Sequence, residues 1–215
     1  MRKITRPLLR AFLENHASED RVLDIGGGRI EKNHSYQELF PNRFTVDIDP
    51  ERQPDLVSDA HALQIEDESF GVILCTEVLE HLHTPEQAIS EMYRVLQPGG
   101  KLILTTRFMY PLHDVPHDYF RYTQYGLQHL FRKWDQVTVA PESESFTAVA
   151  TILQRVMFQT DLKGGKLTKG LLYGLVLLFQ KSDWLLKREY GDIERKTSVS
   201  PFMTTGYYVV ATKAS

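Results

Sequence analysis

The sequence has one cysteine, little excess of either charge and no long apolar run. A single cysteine, Cys75, cannot form an internal disulfide, so the fold does not depend on a disulfide framework. Lysine and arginine together number 25 against 28 aspartate and glutamate residues, and the net charge of -3 gives no basic field of the kind that gathers nucleic acid. We therefore expect no nucleic-acid partner and favour small-molecule chemistry.

The longest apolar stretch, LLYGLVLLF at residues 171–179, is about half of the roughly 20 residues that a membrane-spanning helix needs. The N-terminal residues contain no apolar stretch that would make a signal peptide, so we expect a cytoplasmic protein. Residues 163–188 are nevertheless rich in cations around this stretch, as in a helix that lies on a membrane surface. These cations are Lys163, Lys166, Lys169, Lys181, Lys187 and Arg188. Peripheral contact with the inner membrane face is one prediction, and a buried helix of the domain is the alternative.

Short apolar runs alternate with helical patterns over the first half of the chain. The runs RVLDIG, RFTVDID, FGVILC and KLILTT predict strands, the last at residues 101–106. Before KLILTT, Thr84, Pro85 and Gln87 predict a helix start with a capping box. Strands that alternate with helices predict an α/β fold, in which a parallel sheet carries helices on both faces. Ligands of such sheets bind beyond the carboxyl ends of the strands.

The second half of the chain is predicted to belong to the same domain. GYYVVATK, at residues 206–213, reads as a final strand that has to return to the sheet. We therefore predict one domain over residues 1–215, in which residues 141–206 are a mainly helical insertion or cap before the last strand.

A glycine-rich turn and a later acidic residue predict a nucleotide site. In VLDIGGG, Gly26 and Gly28 lack side chains, so the backbone can approach a ligand closely. Asp47 follows Gly28 by 19 residues, where a carboxylate can accept both hydroxyls of a ribose. NAD and S-adenosylmethionine both satisfy this pattern. The dinucleotide fingerprint places a third glycine where this chain has Glu31, and a carboxylate there would face pyrophosphate badly.

Five motifs in register resemble the class I S-adenosylmethionine-dependent methyltransferases of the small-molecule, type 11 kind. They are VLDIGGG, TVDID, DAHAL, ESFGVILCTEVLEHL and RVLQPGGKLILTT, and the resemblance covers roughly residues 20–140. It implies a Rossmann-like, mostly parallel sheet of seven strands with a reversed final hairpin. The implied cofactor is S-adenosylmethionine, which becomes S-adenosylhomocysteine after transfer. The implied cofactor-binding residues are Asp24, Gly26, Gly27, Gly28, Asp47, Ile48, Asp59, Ala60, Thr76 and Glu77.

The acceptor side is predicted from EVLEHL and from residues 111–123, PLHDVPHDYFRYT, which we name the rim segment. A hydroxyl acceptor gains from a general base, and His81 and His117 are the candidate catalytic residues. The rim segment resembles a variant in bacterial methyltransferases associated with polysaccharide or lipid-linked glycan assembly. In that interpretation it forms the acceptor-side wall, and the alternative is an internally bonded loop that pairs Asp118 with Arg121. The candidate substrate-binding residues are His113, His117, Asp118, Tyr119, Arg121 and Tyr122.

Four residues of the rim segment offer another interpretation, a metal site. They are His113, Asp114, His117 and Asp118. Two prolines in the segment disfavour the continuous helix that would bring both histidines to one ion, so we expect no metal.

The overall hypothesis from the sequence is a methyltransferase acting on a hydroxyl of a small molecule or glycan. A nicotinamide-dependent oxidoreductase and a non-catalytic S-adenosylmethionine-binding protein are the rivals.

Overall fold

A computed structural model describes residues 3–30 and 38–215. Nine strands lie in this part of the chain. They are β1 Val22–Ile25, β2 Arg43–Asp47, β3 Leu56–Val57, β4 Phe70–Thr76, β5 Leu96–Arg107, β6 Val137–Pro141, β7 Tyr190–Asp192, β8 Thr197–Ser198 and β9 Gly206–Thr212. The four strands predicted in the first half of the chain and the final strand are therefore confirmed, whereas the short strands β3, β7 and β8 were not predicted.

The main sheet has seven strands in the order β3-β2-β1-β4-β5-β9-β6. Strands β1 to β5 pair in parallel, and β9 lies antiparallel between β5 and β6. This arrangement confirms the predicted mostly parallel sheet with a reversed final strand. The carboxyl ends of β1, β2 and β4 consequently meet at one edge, next to the point where the strand order reverses.

Five α-helices accompany the sheet in the described part of the chain. They are α1 Thr5–Glu14, α2 Pro85–Val95, α3 Gln124–Leu130, α4 Ser145–Gln159 and α5 Gly165–Phe179. Helix α1 buries Leu9 and Leu13 in a cluster on one face of the sheet. Helices α2 and α3 bury Met92 and Leu127 in the larger cluster on the other face. Helices therefore cover both faces, as predicted.

The start of α2 differs from its prediction in one respect. Pro85 occupies the first turn and Thr84 precedes it, but the Thr84 side chain makes no capping hydrogen bond. Its hydroxyl instead lies 2.8 Å from His83 Nδ1, and Gln87 Nε2 donates to the carbonyl of His61 at 2.8 Å. The predicted capping box was therefore wrong, because the neighbouring His83 engages the Thr84 side chain and the distant His61 engages that of Gln87.

Residues 141–206 contain α4, α5 and the β7–β8 hairpin. Helix α4 is tied to the N-terminal region, where Ile4 N donates to Gln154 Oε1 at 3.0 Å. Helix α5 packs on α4 through Val176, its one buried residue, with Phe179 beside it. The buried-helix alternative therefore does not describe α5. Within residues 3–30 and 38–215, no helix combines the length and apolarity required to cross a membrane.

Candidate active site

A cleft of about 460 Å³ lies at the carboxyl ends of β1, β2 and β4. This volume falls within the range of about 300–1,000 Å³ that is typical of small-molecule sites. The cleft brings together nine of the residues predicted from the sequence. They are Gly26, Asp47, Ile48, Asp59, Ala60, Glu77, His81, His117 and Tyr119.

The glycine turn after β1 has no room for a side chain at any of its three glycines. Gly26 has a φ of +82°, and a Cβ there would lie 2.3 Å from Val78 Cγ2. A Cβ on Gly28 would lie 2.3 Å from the backbone oxygen of Arg52. The backbone of Gly26 thus lines the cleft directly, as close approach to a cofactor requires.

Four predicted cofactor residues, Asp24, Gly27, Gly28 and Thr76, do not line the cleft wall. The Asp24 carboxylate forms a buried ion pair with Arg43, with 2.7 Å between Oδ2 and the guanidinium nitrogen. A Cβ on Gly27 would lie 2.4 Å from the same Asp24 oxygen. Asp24 and Gly27 therefore support the turn from behind, and direct cofactor contact by these four residues stays a prediction.

Asp47 is buried at the end of β2 and lines the cleft. Its Oδ1 accepts from the backbone N–H of Asp49 at 2.9 Å, and its Oδ2 accepts from Arg52 at 2.6 Å. Arg52 also donates to the carbonyl of Gly26 at 2.8 Å, so one guanidinium ties the acid to the glycine turn. Each carboxylate oxygen has two acceptor positions, so Asp47 keeps capacity for ribose hydroxyls.

Arg52 was missed in the sequence, although it lines the cleft. It ends the short 3-10 turn Pro50–Arg52, and its side chain is half exposed. No spacing rule distinguishes such an arginine from an ordinary surface cation.

The far side of the cofactor half of the cleft carries Ile48, Asp59 and two histidines. Ile48 is 68% exposed, which leaves an apolar surface for a flat ring. Asp59 accepts from the backbone and from Nδ1 of His61, at 2.9 and 2.6 Å. Burial opposes ionisation of Asp59, but these hydrogen bonds outweigh it and lower its pKa. His61 Nε2 accepts from the Thr84 N–H at 3.3 Å, and His83 stacks on this ring at 4.1 Å.

Glu77 lies between the cleft and a buried charge cluster. Its φ is +57°, and its backbone N–H donates to the carbonyl of Thr105 at 3.0 Å. Its carboxylate forms a short ion pair with Arg107 and lies 3.6 Å from Arg6. Arg107 is buried and also pairs with buried Glu142 at 2.7 Å. Arg107 and Glu142 were not singled out in the sequence, because their partners are distant along the chain.

The acceptor half of the cleft begins at the 3-10 turn Leu79–His81 after β4. Glu80 is fully buried and accepts from Thr106 Oγ1 at 2.8 Å. Burial raises the pKa of Glu80, against the lowering effect of the Arg107 cation. The Glu80 carbonyl accepts the N–H groups of Tyr119 and Phe120, at 3.0 and 3.2 Å, which fixes the rim segment to this turn.

The hydrogen bond of His81 shows which of its ring nitrogens carries a hydrogen. Its Nδ1 lies 2.7 Å from the carbonyl oxygen of His117, and a carbonyl only accepts, so Nδ1 carries the hydrogen. The Nε2 atom then holds a lone pair, which suits either a general base or a metal ligand. His117 Nδ1 lies 3.1 Å from Tyr119 Oη, and both side chains line the cleft.

The rim segment contains no helix or strand, which confirms the prediction that its two prolines disfavour a continuous helix. Arg121 makes two bonds of 2.6 Å to Asp118 and donates to three backbone carbonyls, those of Tyr110, Pro111 and Phe120. Burial opposes ionisation of Asp118, but the bonds from Arg121 and the His113 N–H outweigh it and lower its pKa to about 2.

Four of the predicted substrate-binding residues contact other protein groups and do not line the cleft. Asp118 and Arg121 bind each other, and buried Tyr122 donates to the carbonyl of Leu79 at 3.2 Å. His113 lies behind His81, with 4.7 Å between the ring centroids, and burial lowers its pKa. The structure gives these four residues bracing contacts rather than positions in the cleft wall. Their direct contact with an acceptor stays a prediction.

Metal-ligating side chains come together at one place in the described part of the chain. Ligand atoms of Glu80, His81 and His113 all lie within 4.8 Å of one another. Of the quartet weighed in the sequence, only His113 belongs to this group.

The helical insertion touches the rim segment from outside the cleft. Gln159 Nε2 donates to the carbonyl of Leu112 at 3.0 Å, and the guanidinium of Arg155 lies 5.0 Å from the centre of the Tyr110 ring. No described residue of 141–206 lines the cleft, so its function as a cap stays a prediction. Glu31, which bears on the NAD alternative, lies outside the described residues.

Comparison with known proteins supports the same family. Residues 23–104 match the family model described as a methyltransferase domain. A ubiquinone/menaquinone biosynthesis C-methyltransferase of Vibrio vulnificus is 29% identical over 163 residues, which cover 67% of this chain and 61% of the relative. A ubiquinone biosynthesis O-methyltransferase of Xanthomonas oryzae pv. oryzae is 32% identical over 101 residues, which cover 40% of this chain and 42% of the relative. The chain thus spans less than two thirds of each of these relatives.

A solved structure shares the fold. Phosphoethanolamine N-methyltransferase 2 of Haemonchus contortus, in complex with phosphomonomethylethanolamine and S-adenosylhomocysteine, superposes with a TM-score of 0.57 at 16% identity, covering 97% of this chain and 53% of that one. The strand order, the cleft at the carboxyl ends of the strands and the family match agree with one another. Residues 23–104 therefore match a methyltransferase domain, and the fold is the one seen in S-adenosylmethionine-dependent methyltransferases.

Proposed function

We propose that the protein transfers the methyl group of S-adenosylmethionine to a hydroxyl of a small-molecule or glycan acceptor. The observation that carries this proposal is a single cleft, with Gly26 and Asp47 at one end and with His81, His117 and Tyr119 at the other. A cofactor bound at the first end would therefore adjoin a space bordered by histidines.

The residues of the first end fit this cofactor. Gly26 leaves backbone at the cleft wall, Asp47 has remaining acceptor capacity for a ribose, and exposed Ile48 offers an apolar surface to adenine. Asp59 and Ala60 line the same cleft as Ile48 and are proposed to bind the edge of the ring. When bound, S-adenosylmethionine supplies an activated methyl group on a sulfonium, so the protein mainly aligns the reactants and excludes water.

The second end supplies candidates for proton acceptance. An acceptor hydroxyl loses its proton as its oxygen forms the new bond to carbon, and a histidine within reach can take this proton. His81 Nε2 carries a lone pair because Nδ1 donates to the His117 carbonyl. His117 is the second candidate, since its ring also lines the cleft.

Cofactor binding can be tested by calorimetry with a matched pair of variants. The wild type is expected to bind S-adenosylmethionine, and Asp47→Ala is expected to weaken binding at least about tenfold, because charge-assisted hydrogen bonds to a ribose are lost. Asp49→Ala is the control, since Asp49 lies two residues further on and caps the 3-10 turn through its bond from Glu51 N–H. Tight NAD binding without S-adenosylmethionine binding would support the oxidoreductase rival and refute the proposal.

Turnover can be tested with acceptor panels of quinols, other phenols and saccharides. The expected result is formation of S-adenosylhomocysteine together with an oxygen-methylated product detected by mass spectrometry. The quinols are included because one relative is named a ubiquinone biosynthesis O-methyltransferase. Cofactor binding with no product on any panel would instead favour the non-catalytic binding protein.

We further propose that residues 163–188 contact an anionic membrane surface. Leu171, Leu178 and Trp184 are 66%, 60% and 80% exposed, so α5 and the turn after it present apolar side chains to solvent. Residues 163–188 contain six cationic side chains and one acidic residue, Asp183. An apolar face bordered by cations fits the boundary between acyl chains and anionic headgroups. A lipid-linked acceptor would be concentrated by such contact.

Liposome flotation tests this membrane contact. The wild type is expected to float with vesicles that contain phosphatidylserine, and Leu171→Asp with Leu178→Asp is expected to abolish flotation. Val57→Asp is the control, because Val57 is an exposed apolar residue on β3 at the edge of the sheet. A wild type that stays unbound at low ionic strength would refute the contact without affecting the proposed chemistry.

A further inference from the structure

Three side chains from two separate segments converge at the acceptor end of the cleft. Glu80 and His81 are neighbours in the turn after β4, and His113 comes from the rim segment. Their potential ligand atoms all lie within 4.8 Å of one another. Only the folding of the rim segment onto this turn creates the group, so no sequence spacing indicates it.

Glu80 has a buried oxygen that lacks a partner. Its side chain is 0% exposed, and Oε2 accepts from Thr106. Oε1 makes no hydrogen bond to any described residue, and the nearest cationic candidate, His113 Nε2, lies 3.9 Å away. Buried carboxylate oxygens are rarely left in this state, and an ion is one of the few partners that resolve it.

Both histidines have an acceptor oxygen near the ring nitrogen that would lie away from an ion. His81 Nδ1 donates to the His117 carbonyl, which leaves Nε2 as the ligand atom. His113 Nδ1 makes no hydrogen bond, but Asp118 Oδ2 lies 3.5 Å from it, on the side of the ring opposite to the Nε2 atom that faces Glu80 Oε1 at 3.9 Å. Hydrogen bonds like that of His81, from the distal ring nitrogen to a carbonyl or carboxylate, accompany most metal-bound histidines. Arg121 fixes Asp118 in turn.

We propose that Glu80 Oε1, His81 Nε2 and His113 Nε2 bind one divalent first-row metal ion at the acceptor end of the cleft. Two imidazoles and one carboxylate suit Zn²⁺, Mn²⁺, Fe²⁺ or Co²⁺ and leave coordination positions open. Asp114 Oδ2 lies 3.9 Å from His81 Nε2 and can supply a further ligand. This proposal differs from the expectation of no metal in the sequence analysis. That expectation concerned four residues within the rim segment, whereas two of the three ligands proposed here, Glu80 and His81, lie outside it.

This inference rests on the proposed function for its chemical meaning. Of the proposed ligands, His81 and Asp114 line the cleft whereas Glu80 and His113 lie outside its wall, so the chemical step requires an open position on the ion that faces past His81 toward the acceptor. A hydroxyl bound there would release its proton more readily, to His117 or to water. Its oxygen lone pair then forms the bond to the methyl carbon while the carbon–sulfur bond breaks and leaves a neutral thioether. His81 would act in this case as a ligand and not as the base.

Direct metal binding tests the inference independently of activity. The full chain is stripped with a chelator and titrated with Mn²⁺, and bound ion is measured from the loss of the free-ion paramagnetic resonance signal, with Zn²⁺ as competitor. One ion per chain is expected. Glu80→Gln and, separately, His113→Asn are expected to weaken binding at least about tenfold. His83→Gln is the control, because His83 lines the same cleft but stacks on His61 outside the group.

The outcomes separate this inference from the proposed function. No stoichiometric Mn²⁺ or Zn²⁺ binding by the wild type overturns the metal site, and so does binding that persists in His113→Asn, which remains informative if Glu80→Gln does not fold. S-adenosylmethionine affinity is measured in the same samples. If the wild type binds S-adenosylmethionine but no ion, the metal site is refuted and the methyltransferase proposal is unaffected. If it binds the ion but not S-adenosylmethionine, the metal site is supported and the methyltransferase proposal is refuted.

Discussion

The two halves of the cleft are built in different ways. On the cofactor half, Gly26 and Asp47 each lie where a parallel strand ends. On the acceptor half, the rim segment has no regular structure and is fixed by hydrogen bonds to the turn Leu79–His81. Side chains at strand ends share one edge of the sheet by geometry, whereas the rim segment depends on contacts between residues about 40 positions apart.

The halves also differ in where their polar groups point. Asp47 keeps acceptor capacity toward the cleft, although Arg52 holds one of its oxygens. Asp118 and Arg121 direct their polar atoms into the rim segment itself. Asp47 therefore remains available to a ligand, whereas Asp118 and Arg121 brace a segment whose backbone has no sheet or helix to satisfy it.

The largest effect is expected when Arg121, which holds the rim segment together, is replaced. Arg121→Ala removes five hydrogen bonds and leaves the buried Asp118 carboxylate without its cation and with only the His113 N–H as a donor, so we expect a loss of about 3 kcal/mol in unfolding free energy. Urea titration measures this loss, and Arg132→Ala, which removes one exposed bond, should change stability by less than about 0.5 kcal/mol. Unchanged stability with a selective rise in acceptor KM would show instead that Arg121 contacts the acceptor.

On the cofactor half, the corresponding change is Gly26→Ala. The φ of +82° and the 2.3 Å approach to Val78 Cγ2 predict a loss of about 2 kcal/mol and weaker S-adenosylmethionine binding. Combining it with Val78→Ala removes the clashing methyl group, so the double variant should lose less than the sum of the single losses. Strict additivity would show that the clash contributes nothing.

A smaller effect is expected at the Arg94–Glu91 pair, which braces the connection between β3 and β4 outside the cleft. Arg94 donates to the carbonyls of Leu63 and Ile65 and to Glu91. Its hydrogen bonds to Glu91 lower the pKa of that carboxyl. The stabilisation is present above the ordinary glutamate pKa and is lost as the pH falls through the lowered one.

Denaturant titrations across pH measure the contribution of Glu91. Wild type should exceed Glu91→Gln by about 1 kcal/mol at pH 7, and the difference should shrink below about pH 4. A difference that does not vary between pH 7 and pH 2 would contradict the assigned pKa shift.

The smallest expected effect compares two threonines before helices. Thr123 accepts from the Gly126 N–H at 3.1 Å and caps α3, so Thr123→Ala should cost about 1 kcal/mol. Thr84 makes no capping bond to α2, so Thr84→Ser, which keeps the hydroxyl, should change stability by less than about 0.5 kcal/mol. Equal losses in thermal or urea unfolding would mean that the caps are equivalent after all.

Much of the cofactor half was predictable, and specific parts of the acceptor half were not. Apolar strands and the glycine turn predicted that Gly26 and Asp47 meet at one cleft, and the family resemblance added Ile48 and Asp59, which line the same cleft. The Arg52 bridge to Asp47 was missed, because it depends on how a short exposed turn folds back over the glycine turn. The capping box was predicted wrongly because His83 and His61 compete for its side chains.

The family resemblance supplied the reversed final strand, whereas the sequence by itself determined the alternation of strands and helices and the edge of the sheet where a ligand is expected. These follow from local periodicity and from the geometry of parallel strands. Only the tertiary structure decided that Asp118 and Arg121 brace each other and that Glu80, His81 and His113 meet. Those outcomes depend on which buried polar atoms find partners once distant segments pack, and that pairing is a property of the whole fold.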